Sequence, residues 1–373
     1  MNTAAPKLPH RQSLTESSSF TGNKVNLLMN TASKILLFAL TVLAAIMPML
    51  SACGNFSAGG SCTQADTNTK VAAMPEEQKM TTQETAAPAN FEPTAIDNIV
   101  YKKIGDIELG LDFYGPTVPT DGPAPVFFYI HGGAWVGGNR SIKDAGMVTV
   151  IMDQIRALGV AVVPVSYRLT TETVTFPAHI NDVCDAIRFI VKHADDYNID
   201  PQRIGMIGFS AGGHLSLLAG FCTTEFGDAP ELANVDFDVK CVIDFCGPTD
   251  LTQLVDVPLE DDRVYLLGIL KDFLGAQLQG NEEHYIYASP IGHVGKNPDL
   301  SLLILQGRSD EIVPHAQADK LYEKCVEAGY DVKYIPVENA NHGFAPADTS
   351  MPTNPTMPEI ISECLAFIKD KLI

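Results

Sequence analysis

The chain has few charged residues, and basic residues are the scarcer kind. Charged residues make up 19% of the 373 positions, and 25 lysines and arginines stand against 45 aspartates and glutamates, for a formal charge of −20. An acidic surface repels the phosphates of nucleic acids and of anionic lipid headgroups. We therefore expect no nucleic-acid partner for the folded part and favour a neutral substrate.

The chain also lacks an apolar run long enough to span a bilayer as a helix. The main apolar run, residues 35–50, has the sequence ILLFALTVLAAIMPML. As a helix it would be about 24 Å long, short of the roughly 30 Å hydrocarbon core of a bilayer. It follows the basic Lys34, as the apolar core of a secretory signal peptide does. The pattern predicts a signal peptide over residues 1–52. Met29 could also be its start, with residues 1–28 as an upstream extension.

The apolar run is followed directly by Leu50-Ser51-Ala52-Cys53. This tetrad resembles the lipobox of bacterial lipoproteins. The resemblance implies cleavage before Cys53, lipid attached to that residue, and an exported protein anchored at the periplasmic or cell-surface side of a membrane. The alternative is an ordinary secretory signal with a cysteine that happens to follow it.

The cysteines lack the spacing of a metal site or of a disulfide framework. Eight of them are scattered along the chain, which predicts mostly buried, free thiols and no metal ligands. Cys241 and Cys246 flank one predicted strand an odd number of residues apart. Side chains alternate along a strand, so these two should point to opposite faces and not pair.

Large apolar residues are scarce again between residues 54 and 93, where serine, threonine, alanine, glycine, glutamine and glutamate prevail. Such a segment buries too little apolar surface to offset the entropy of ordering. We predict a lipidated, disordered tether over residues 53–95 and a folded domain over residues 96–373. No internal repeat is visible.

The folded part alternates between short β-rich runs and helical segments, which predicts an α/β fold with a mostly parallel sheet and helices on both faces. The predicted strands are Ile107–Tyr114, which opens the sheet, Val126–Ile130, Val160–Val165, Ile204–Phe209, Val239–Phe245, Leu302–Gln306 and Val332–Pro336. The predicted helices are Lys143–Leu158, Pro177–Ala194, Ala211–Gly220, Ala316–Ala328 and Pro358–Lys371. The segment Asp250–Pro290 has no clear strand, so inserted helices there are expected to form a small cap.

A candidate nucleophile lies between a predicted strand and a predicted helix. Residues 208–212 have the sequence GFSAG, and G-x-S-x-G in this context is typical of a nucleophile elbow with Ser210 at its tip. Glycines on both sides allow strand and helix to pack closely around a strained turn. The fold that uses this turn is the α/β-hydrolase fold.

A serine hydroxyl needs a neutral histidine to take its proton and a carboxylate to orient that histidine. In this fold the chain order is serine, acid, histidine. His342 follows the last predicted strand and is the expected base. Asp310 lies just beyond a strand end and is the expected acid, with Glu311 as the alternative if the loop shifts by one residue. His214, one helical turn after Ser210, is expected to pack beneath the elbow.

Residues 131–135 have the sequence HGGAW and follow the strand Val126–Ile130. This loop resembles the oxyanion loop of esterases related to the hormone-sensitive lipases. The resemblance implies that backbone N–H groups of Gly133, Ala134 and Ala211 stabilise the negative charge that develops on the substrate. His131 is expected to brace the loop. Trp135 is a candidate for the substrate pocket, and packing in the core is the equal alternative.

Further segments, SYRL at 166–169, FPA at 176–178, IDPQRI at 199–204 and SAGGH at 210–214, together resemble bacterial carboxylesterases similar to acetylxylan and feruloyl esterases. The likeness covers roughly residues 97–373. A third glycine of the hormone-sensitive-lipase group is replaced here by Ala134-Trp135, and its aspartate before the serine by Phe209, which makes lipid substrates less favoured.

The resemblance implies a serine carboxylesterase that forms an acyl-enzyme and acts on a small-molecule or oligosaccharide ester, in particular acetyl or feruloyl esters of plant polysaccharide. No cofactor and no metal are expected. The alternatives are a peptidase, an arylformamidase-like amidase with the same triad, a short-chain acyl lipase, and a binding protein on an inactive hydrolase scaffold.

Overall fold

The computed structural model describes residues 92–143, 145–254 and 260–373, with the side chains of residues 260–262 left undescribed. The predicted signal peptide, Cys53 and the predicted tether as far as residue 91 lie outside the described residues. Within the described part, no helix is long and apolar enough to cross a bilayer.

One eight-stranded sheet forms the centre of the domain. Its strands are β1 Ala95–Ile104, β2 Ile107–Tyr114, β3 Ala124–Ile130, β4 Ala161–Val165, β5 Ile199–Phe209, β6 Val239–Phe245, β7 Ser301–Gly307 and β8 Val332–Val337. Their order is β1-β2-β4-β3-β5-β6-β7-β8. The pairs β1–β2 and β2–β4 are antiparallel, and every other pair in the sheet is parallel.

Helices cover both faces of the sheet, as the sequence predicts. They are α1 Met147–Ala157, α2 Ala178–Lys192, α3 Ala194–Tyr197, α4 Ala211–Phe221, α5 Glu260–Leu274, α6 Glu282–Tyr287, α7 Ala316–Glu327 and α8 Met357–Leu372. Side chains of α2, α4 and α7 pack in one apolar cluster, and those of α1 and α8 in a second. Every residue of β3, β4 and β7 is buried, because helices lie on both sides of these strands.

The predicted strands and helices are all present, and none of their ends moves by more than five residues. The prediction that Ile107–Tyr114 opens the sheet is wrong, since β1 precedes it and begins at Ala95, inside the predicted tether. β1 was hidden because it is an edge strand with an exposed first half and two register shifts against β2. Its sequence therefore lacks the apolar alternation by which strands are recognised.

A buried ion cluster fixes β1 to the body of the domain. The Lys102 ammonium lies 2.7 Å from an Asp182 oxygen and 2.6 Å from an Asp185 oxygen, and it also contacts Asp228. Arg168 pairs with Asp182 as well, at 2.7 Å. Removing one partner would leave a buried charge unpaired, so the cluster couples the position of the edge strand to that of α2.

The segment Asp250–Pro290 contains α5 and α6, and it lies above the sheet as the expected small helical cap. α5 buries Leu266, Ile269, Leu270 and Phe273 in the same apolar cluster as α4. The cap is thus packed on the domain through an apolar face, next to the end of the sheet where β5 meets α4.

The six cysteines of the described residues are buried and free, in agreement with the sequence-based expectation. The expectation that Cys241 and Cys246 face opposite sides is wrong, because both belong to the same apolar cluster. β6 ends at Phe245 and Cys246 has a φ of 48°, so the alternation of side chains is broken between the two thiols.

Candidate active site

Ser210 lies in a sharp turn between β5 and α4. Its φ of 54° and ψ of −120° are strained for a residue with a side chain. The turn is held from below by a hydrogen bond from the Ser210 N–H to the carbonyl oxygen of Phe245, at 2.8 Å. The strain exposes the hydroxyl at the carboxyl end of the sheet, which is the geometry of a nucleophile elbow.

The two glycines of the turn are required by close backbone contacts. A Cβ on Gly208 would lie 2.2 Å from the Gly212 carbonyl oxygen, and one on Gly212 would lie 2.0 Å from the Ile130 carbonyl oxygen. Both distances are far below van der Waals contact. The G-x-S-x-G pattern therefore has a steric cause in this chain, namely the close approach of β3, β5 and α4.

Ser210, His342 and Asp310 form one hydrogen-bonded row. The distance from His342 Nε2 to Ser210 Oγ is 3.0 Å, and that from His342 Nδ1 to Asp310 Oδ2 is 2.8 Å. The three residues come from the elbow and from the loops after β7 and β8, which are distant in sequence. Together they have the geometry of a nucleophile, a general base and an orienting acid.

Asp310, not Glu311, faces the imidazole. Its side chain is fully buried, and Oδ1 accepts the backbone N–H groups of Ile312 and Val313 at 2.9 and 2.8 Å. Oδ2 is shared between His342 and the amide of Gln306, at 2.9 Å from the latter. Glu311 instead accepts the backbone N–H of His342 at 3.3 Å, so it touches the loop and not the ring.

The pKa of His342 departs from that of a free imidazole. Burial lowers the pKa, whereas the neighbouring Cys246 and the Asp310 carboxylate raise it, and the net result is a pKa well above the usual value of 6.5. Since burial raises the pKa of the Cys246 thiol, that thiol is neutral, and we take the Asp310 carboxylate as the group that stabilises the imidazolium.

This shift predicts an alkaline pH dependence of activity. His342 accepts a proton only when it is neutral, so the protonated fraction below its pKa is inactive. We expect kcat/KM for an acetyl ester to rise with pH, about tenfold per unit at first, and to level off above the raised pKa of His342. The midpoint of this limb should lie above 6.5. A midpoint at or below that value in a pH–rate profile would count against the pairing of His342 with Asp310.

The loop after β3 faces the elbow, and its backbone is unusual. Gly133, Ala134 and Trp135 have φ values of 115°, 51° and 61° in succession. The Gly133 carbonyl accepts the N–H groups of Val136 and Gly137, at 3.1 and 3.0 Å, which closes a tight turn. Backbone N–H groups exposed in a tight turn can form a site for an anion.

The three N–H groups that the sequence assigns to an oxyanion hole are available. Within the described residues, the N–H groups of Gly133, Ala134 and Ala211 donate no hydrogen bond to another backbone or side-chain oxygen. Ala134 and Ala211 line the same small cavity as Ser210. Ala211 is also the first residue of α4, where the helix dipole favours negative charge.

His131 braces the oxyanion loop, as the sequence suggests. Its ring stacks on Tyr167 with centroids 4.3 Å apart, and its Nδ1 lies 2.8 Å from the Gly132 carbonyl oxygen. Burial lowers the pKa of His131 to about 4, so the ring is neutral. The Tyr167 hydroxyl donates to the His131 carbonyl oxygen at 2.9 Å, a support that the sequence motif around Tyr167 does not reveal.

Trp135 packs in the core and also forms one wall of the cavity. It is 2% exposed and stacks on Phe273 of the cap, with centroids 4.1 Å apart. Its Nε1–H donates to His214 Nδ1 at 3.3 Å, and His214 Nε2 donates to the Ala288 carbonyl oxygen at 2.8 Å. His214 is fully buried beneath the elbow, as expected, and joins the oxyanion loop, α4 and the cap segment.

Two residues near the elbow were missed by the sequence analysis. Asp244 in β6 is buried under α4, where Oδ1 accepts the Gly247 N–H at 3.0 Å and Oδ2 has no hydrogen-bond partner in the described part of the chain. Burial raises its pKa to about 7. Cys246 lies beside the triad, with its sulfur 3.6 Å from the His342 carbonyl oxygen. A single buried aspartate in a strand, or a single cysteine just after one, has no local pattern that could have marked it.

A small apolar cavity opens at Ser210. Its volume is about 30 Å³, and it is lined by Ala134, Trp135, Ser210, Ala211, Pro248, Leu254, Leu266, Ile269, Leu270, Ile312 and Val313. The cap supplies one wall, through α5. The arrangement places a nucleophile, a base and N–H donors at the mouth of a pocket that fits a short apolar group, which is the chemistry of acyl transfer.

Two groups among the described residues combine side chains of the types that bind metal ions. They are Cys246 with Asp310 and His342, and Cys222 with Glu225 and His293, and within each group the ligating atoms lie within 4.8 Å of one another. In the first group both imidazole nitrogens are already hydrogen-bonded, to Asp310 and to Ser210. That group is therefore accounted for by the triad.

Comparisons with known proteins find similarity to esterases. Probable carboxylic ester hydrolase LipM of Mycobacterium tuberculosis is 33% identical over 254 residues, 65% of this chain and 57% of that protein. Esterase LipQ of the same organism is 30% identical over 229 residues, 61% of this chain and 52% of that protein. The chain thus spans little more than half the length of these curated relatives.

A solved structure, a truncated form of a carbohydrate esterase from gut microbiota, superimposes with a TM-score of 0.59 at 26% identity and covers 74% of this chain and 96% of that one. The model of the BD-FAE family matches residues 111–325, more than half of the chain and the region from β2 into α7. With this match and the α/β-hydrolase architecture described above, the chain belongs to the BD-FAE family of α/β-hydrolase serine esterases.

Proposed function

We propose that the protein hydrolyses carboxylic esters through an acyl-enzyme on Ser210, and that its preferred acyl group is acetyl on a carbohydrate. The observation on which the proposal rests is the hydrogen-bonded row Ser210–His342–Asp310 at the mouth of the apolar cavity. The esterase relatives support the reaction class.

The reaction follows from the positions of the groups. His342 Nε2 takes the proton of Ser210 Oγ as this oxygen attacks the ester carbonyl carbon, and Asp310 stabilises the imidazolium. The N–H groups of Ala134 and Ala211 donate to the oxyanion, an interaction worth about 3 kcal/mol per donor. His342 then protonates the leaving alcohol, and water, activated by the same histidine, releases the acid and restores Ser210.

The size of the cavity supports a short acyl group. A site of about 30 Å³ holds little more than two water-sized groups, since one water needs roughly 10–15 Å³. An acetyl methyl fits this space more readily than a feruloyl ring or a long alkyl chain does. Of the two polysaccharide esters that the sequence suggests, we therefore favour acetyl.

The proposal that the substrate is a carbohydrate ester depends on structural similarity to a known esterase. The structurally similar esterase from gut microbiota is described as a carbohydrate esterase and is covered over nearly its whole length. The acidic net charge of this chain also favours a neutral alcohol, such as a sugar hydroxyl, over a phosphorylated one.

Acyl-chain selectivity tests the proposal. We expect kcat/KM to fall by about 10- to 100-fold from p-nitrophenyl acetate to p-nitrophenyl octanoate, because overfilling a packed pocket costs roughly 1–3 kcal/mol. Leu270→Ala, which shortens a buried wall residue of α5, should raise the octanoate-to-acetate ratio. Leu267→Ala on the same helix should not, since Leu267 is 38% exposed.

Equal rates with acetate and octanoate in the unmodified protein would contradict the proposal for acetyl groups. Acetylated xylan and methyl ferulate, assayed side by side, distinguish the two carbohydrate esters. Hydrolysis of a formylated aromatic amine faster than of any acetyl ester would favour the amidase alternative.

We further propose that the enzyme is an exported lipoprotein attached to a membrane through Cys53. The support is the order of Lys34, the apolar run 35–50 and the tetrad 50–53 in the sequence. Lipidation by more than one chain holds a protein stably to a bilayer. Residues 54–91 would then form a spacer between the membrane and the domain.

Cys53→Ala tests the anchor. The variant should lack the lipid mass and leave the membrane fraction for the soluble one, because its apolar run alone is too short to span the bilayer. Cys62→Ala is the matched control, since Cys62 lies in the same segment but outside the tetrad. Fractionation and mass spectrometry of both variants decide the matter, and unchanged membrane attachment of Cys53→Ala would refute the proposal.

A further inference from the structure

A second cluster of side chains of the types that bind metal ions lies at the opposite end of α4 from Ser210. Cys222 follows the last residue of α4, Glu225 lies one turn further, and His293 ends the 3-10 helix Pro290–His293. A ligating atom of each lies within 4.8 Å of those of the other two. α4 has 11 residues, so the group is about 17 Å from Ser210 along the helix axis and has no part in the triad.

His293 belongs to this group and keeps one ring nitrogen free of hydrogen bonds. Its Nε2 lies 2.7 Å from the Tyr287 carbonyl oxygen, which can only accept, so Nε2 holds the proton and Nδ1 keeps its lone pair. The residue is 3% exposed, and Nδ1 has no hydrogen-bond partner among the described residues. A metal-binding histidine characteristically donates its other N–H to a carbonyl or carboxylate in this way.

Cys222 supplies a buried thiol at a position that favours a cation. It is 2% exposed and makes no disulfide. The last carbonyls of a helix have partial negative charge, which stabilises a positive ion near the end of α4. Burial raises the pKa of the free thiol to about 12, so a metal ion that binds there must displace the proton, as Zn²⁺ does from coordinating thiols.

Glu225 is the solvent-exposed member of the group. Its side chain is 33% exposed, and Oε1 accepts from the Lys296 ammonium at 2.5 Å. Lys296 is itself 40% exposed, so it can turn into solvent, or stay on Oε1 while Oε2 binds an ion. Surface pairs of this kind are weak and do not oppose metal binding strongly.

We propose that Cys222, Glu225 and His293 form a binding site for one Zn²⁺-like ion, with water as the fourth ligand. A thiolate, an imidazole and a carboxylate are the ligands that zinc takes in proteins. On binding, the Cys222 S–H bond breaks, the proton goes to solvent, and a sulfur–metal bond forms with no change in oxidation state. The ion ties the end of α4 to the chain that returns from the cap and thus strengthens the support of the elbow.

The spacing of these residues explains why the sequence analysis expected no metal. Cys222 and Glu225 are three residues apart, but His293 follows 68 residues later, beyond the cap. Only the packing of the 3-10 helix against α4 brings the imidazole to the thiol, so no local motif could predict the site.

Cobalt absorption tests the proposal. The full chain, stripped with a chelator, is titrated with Co²⁺ in a His342→Ala background, which removes the imidazole from the group of Cys246, Asp310 and His342. We expect one Co²⁺ per chain, visible bands of a tetrahedral ion, and a near-ultraviolet band from thiolate to Co²⁺. Zn²⁺ should displace the Co²⁺ and abolish the bands.

Variants assign the ligands. Cys222→Ser should lose the ultraviolet band, and His293→Ala should bind more than about 100-fold more weakly, since even supporting residues change metal affinity 10- to 100-fold. Glu225→Gln, a change at a partly exposed side chain that leaves the core intact, should weaken binding about tenfold or more. Cys364→Ser, another buried free thiol, is the matched control and should bind normally. Cys53 and Cys62 are present in all these proteins and contribute equally.

Two results would overturn the proposal. One is a chain with intact circular dichroism that binds neither Co²⁺ nor Zn²⁺ at micromolar concentration. The other is a thiolate band and an affinity that persist unchanged in both His293→Ala and Glu225→Gln. Because these two variants leave the thiol in place, the test does not depend on whether Cys222→Ser folds.

Discussion

Ser210→Ala is expected to lower kcat/KM for p-nitrophenyl acetate by more than about 10⁴-fold. The hydroxyl is the atom that forms the acyl bond, and neither His342 nor the oxyanion donors can replace it. The remaining rate should be that of a pocket that binds and polarises the ester without a covalent step.

The same substitution should leave the fold intact. Alanine keeps the Cβ that already occupies the strained position at a φ of 54°, and the change removes one hydrogen bond, from Ser210 to His342. Circular dichroism and the thermal midpoint serve as the control. Turnover close to that of the unmodified protein, measured on a sample free of contaminating esterase, would refute the role of Ser210.

Asp310→Asn is expected to lower kcat by about 10³- to 10⁴-fold while the protein stays folded. Two backbone N–H groups, from Ile312 and Val313, point at Oδ1. They force the amide oxygen of asparagine to that side, so its NH₂ group faces His342. The NH₂ then donates to Nδ1, which places the imidazole proton on Nε2. In this tautomer Nε2 cannot accept the proton of Ser210.

Glu311→Gln is the matched control for that variant. Among the described residues, the Glu311 side chain makes one hydrogen bond, from the backbone N–H of His342 at 3.3 Å. Its loss should therefore change kcat by less than about tenfold, the range of a single weak hydrogen bond. Steady-state kinetics of the two variants on one substrate answer the question. A large loss in Glu311→Gln with a small one in Asp310→Asn would show that the acid has been assigned one residue too early.

The parts of the site that can be predicted from the sequence are those determined by residues close together in the chain. G-x-S-x-G is recognisable because Gly208 and Gly212 face backbone at distances that admit no side chain. His342 and Asp310 are recognisable because their loops follow strands in the order that the fold imposes. The choice between Asp310 and Glu311 is different, because it depends on which carboxylate accepts the N–H groups of Ile312 and Val313. Only the folded loop shows that this is Asp310.

The parts that sequence does not reveal depend on contacts between distant segments. β1 is fixed by Lys102 and its carboxylate partners, of which two are buried in α2 and one is an exposed residue of the loop before β6. The cavity is small because Leu266, Ile269 and Leu270 of the cap line it together with Trp135 of the oxyanion loop. No periodicity in a single segment encodes such a volume, so acyl preference could be proposed only after the packing was known.

A covalent adduct tests the central claim most directly. The full chain is treated with a fluorophosphonate, which phosphonylates an activated serine, and the modified peptide is located by mass spectrometry. Our account predicts one adduct per chain, on Ser210, which prior acylation by p-nitrophenyl acetate delays and which His342→Ala abolishes. An adduct on another residue, or none on Ser210 in a protein that hydrolyses esters, would contradict it.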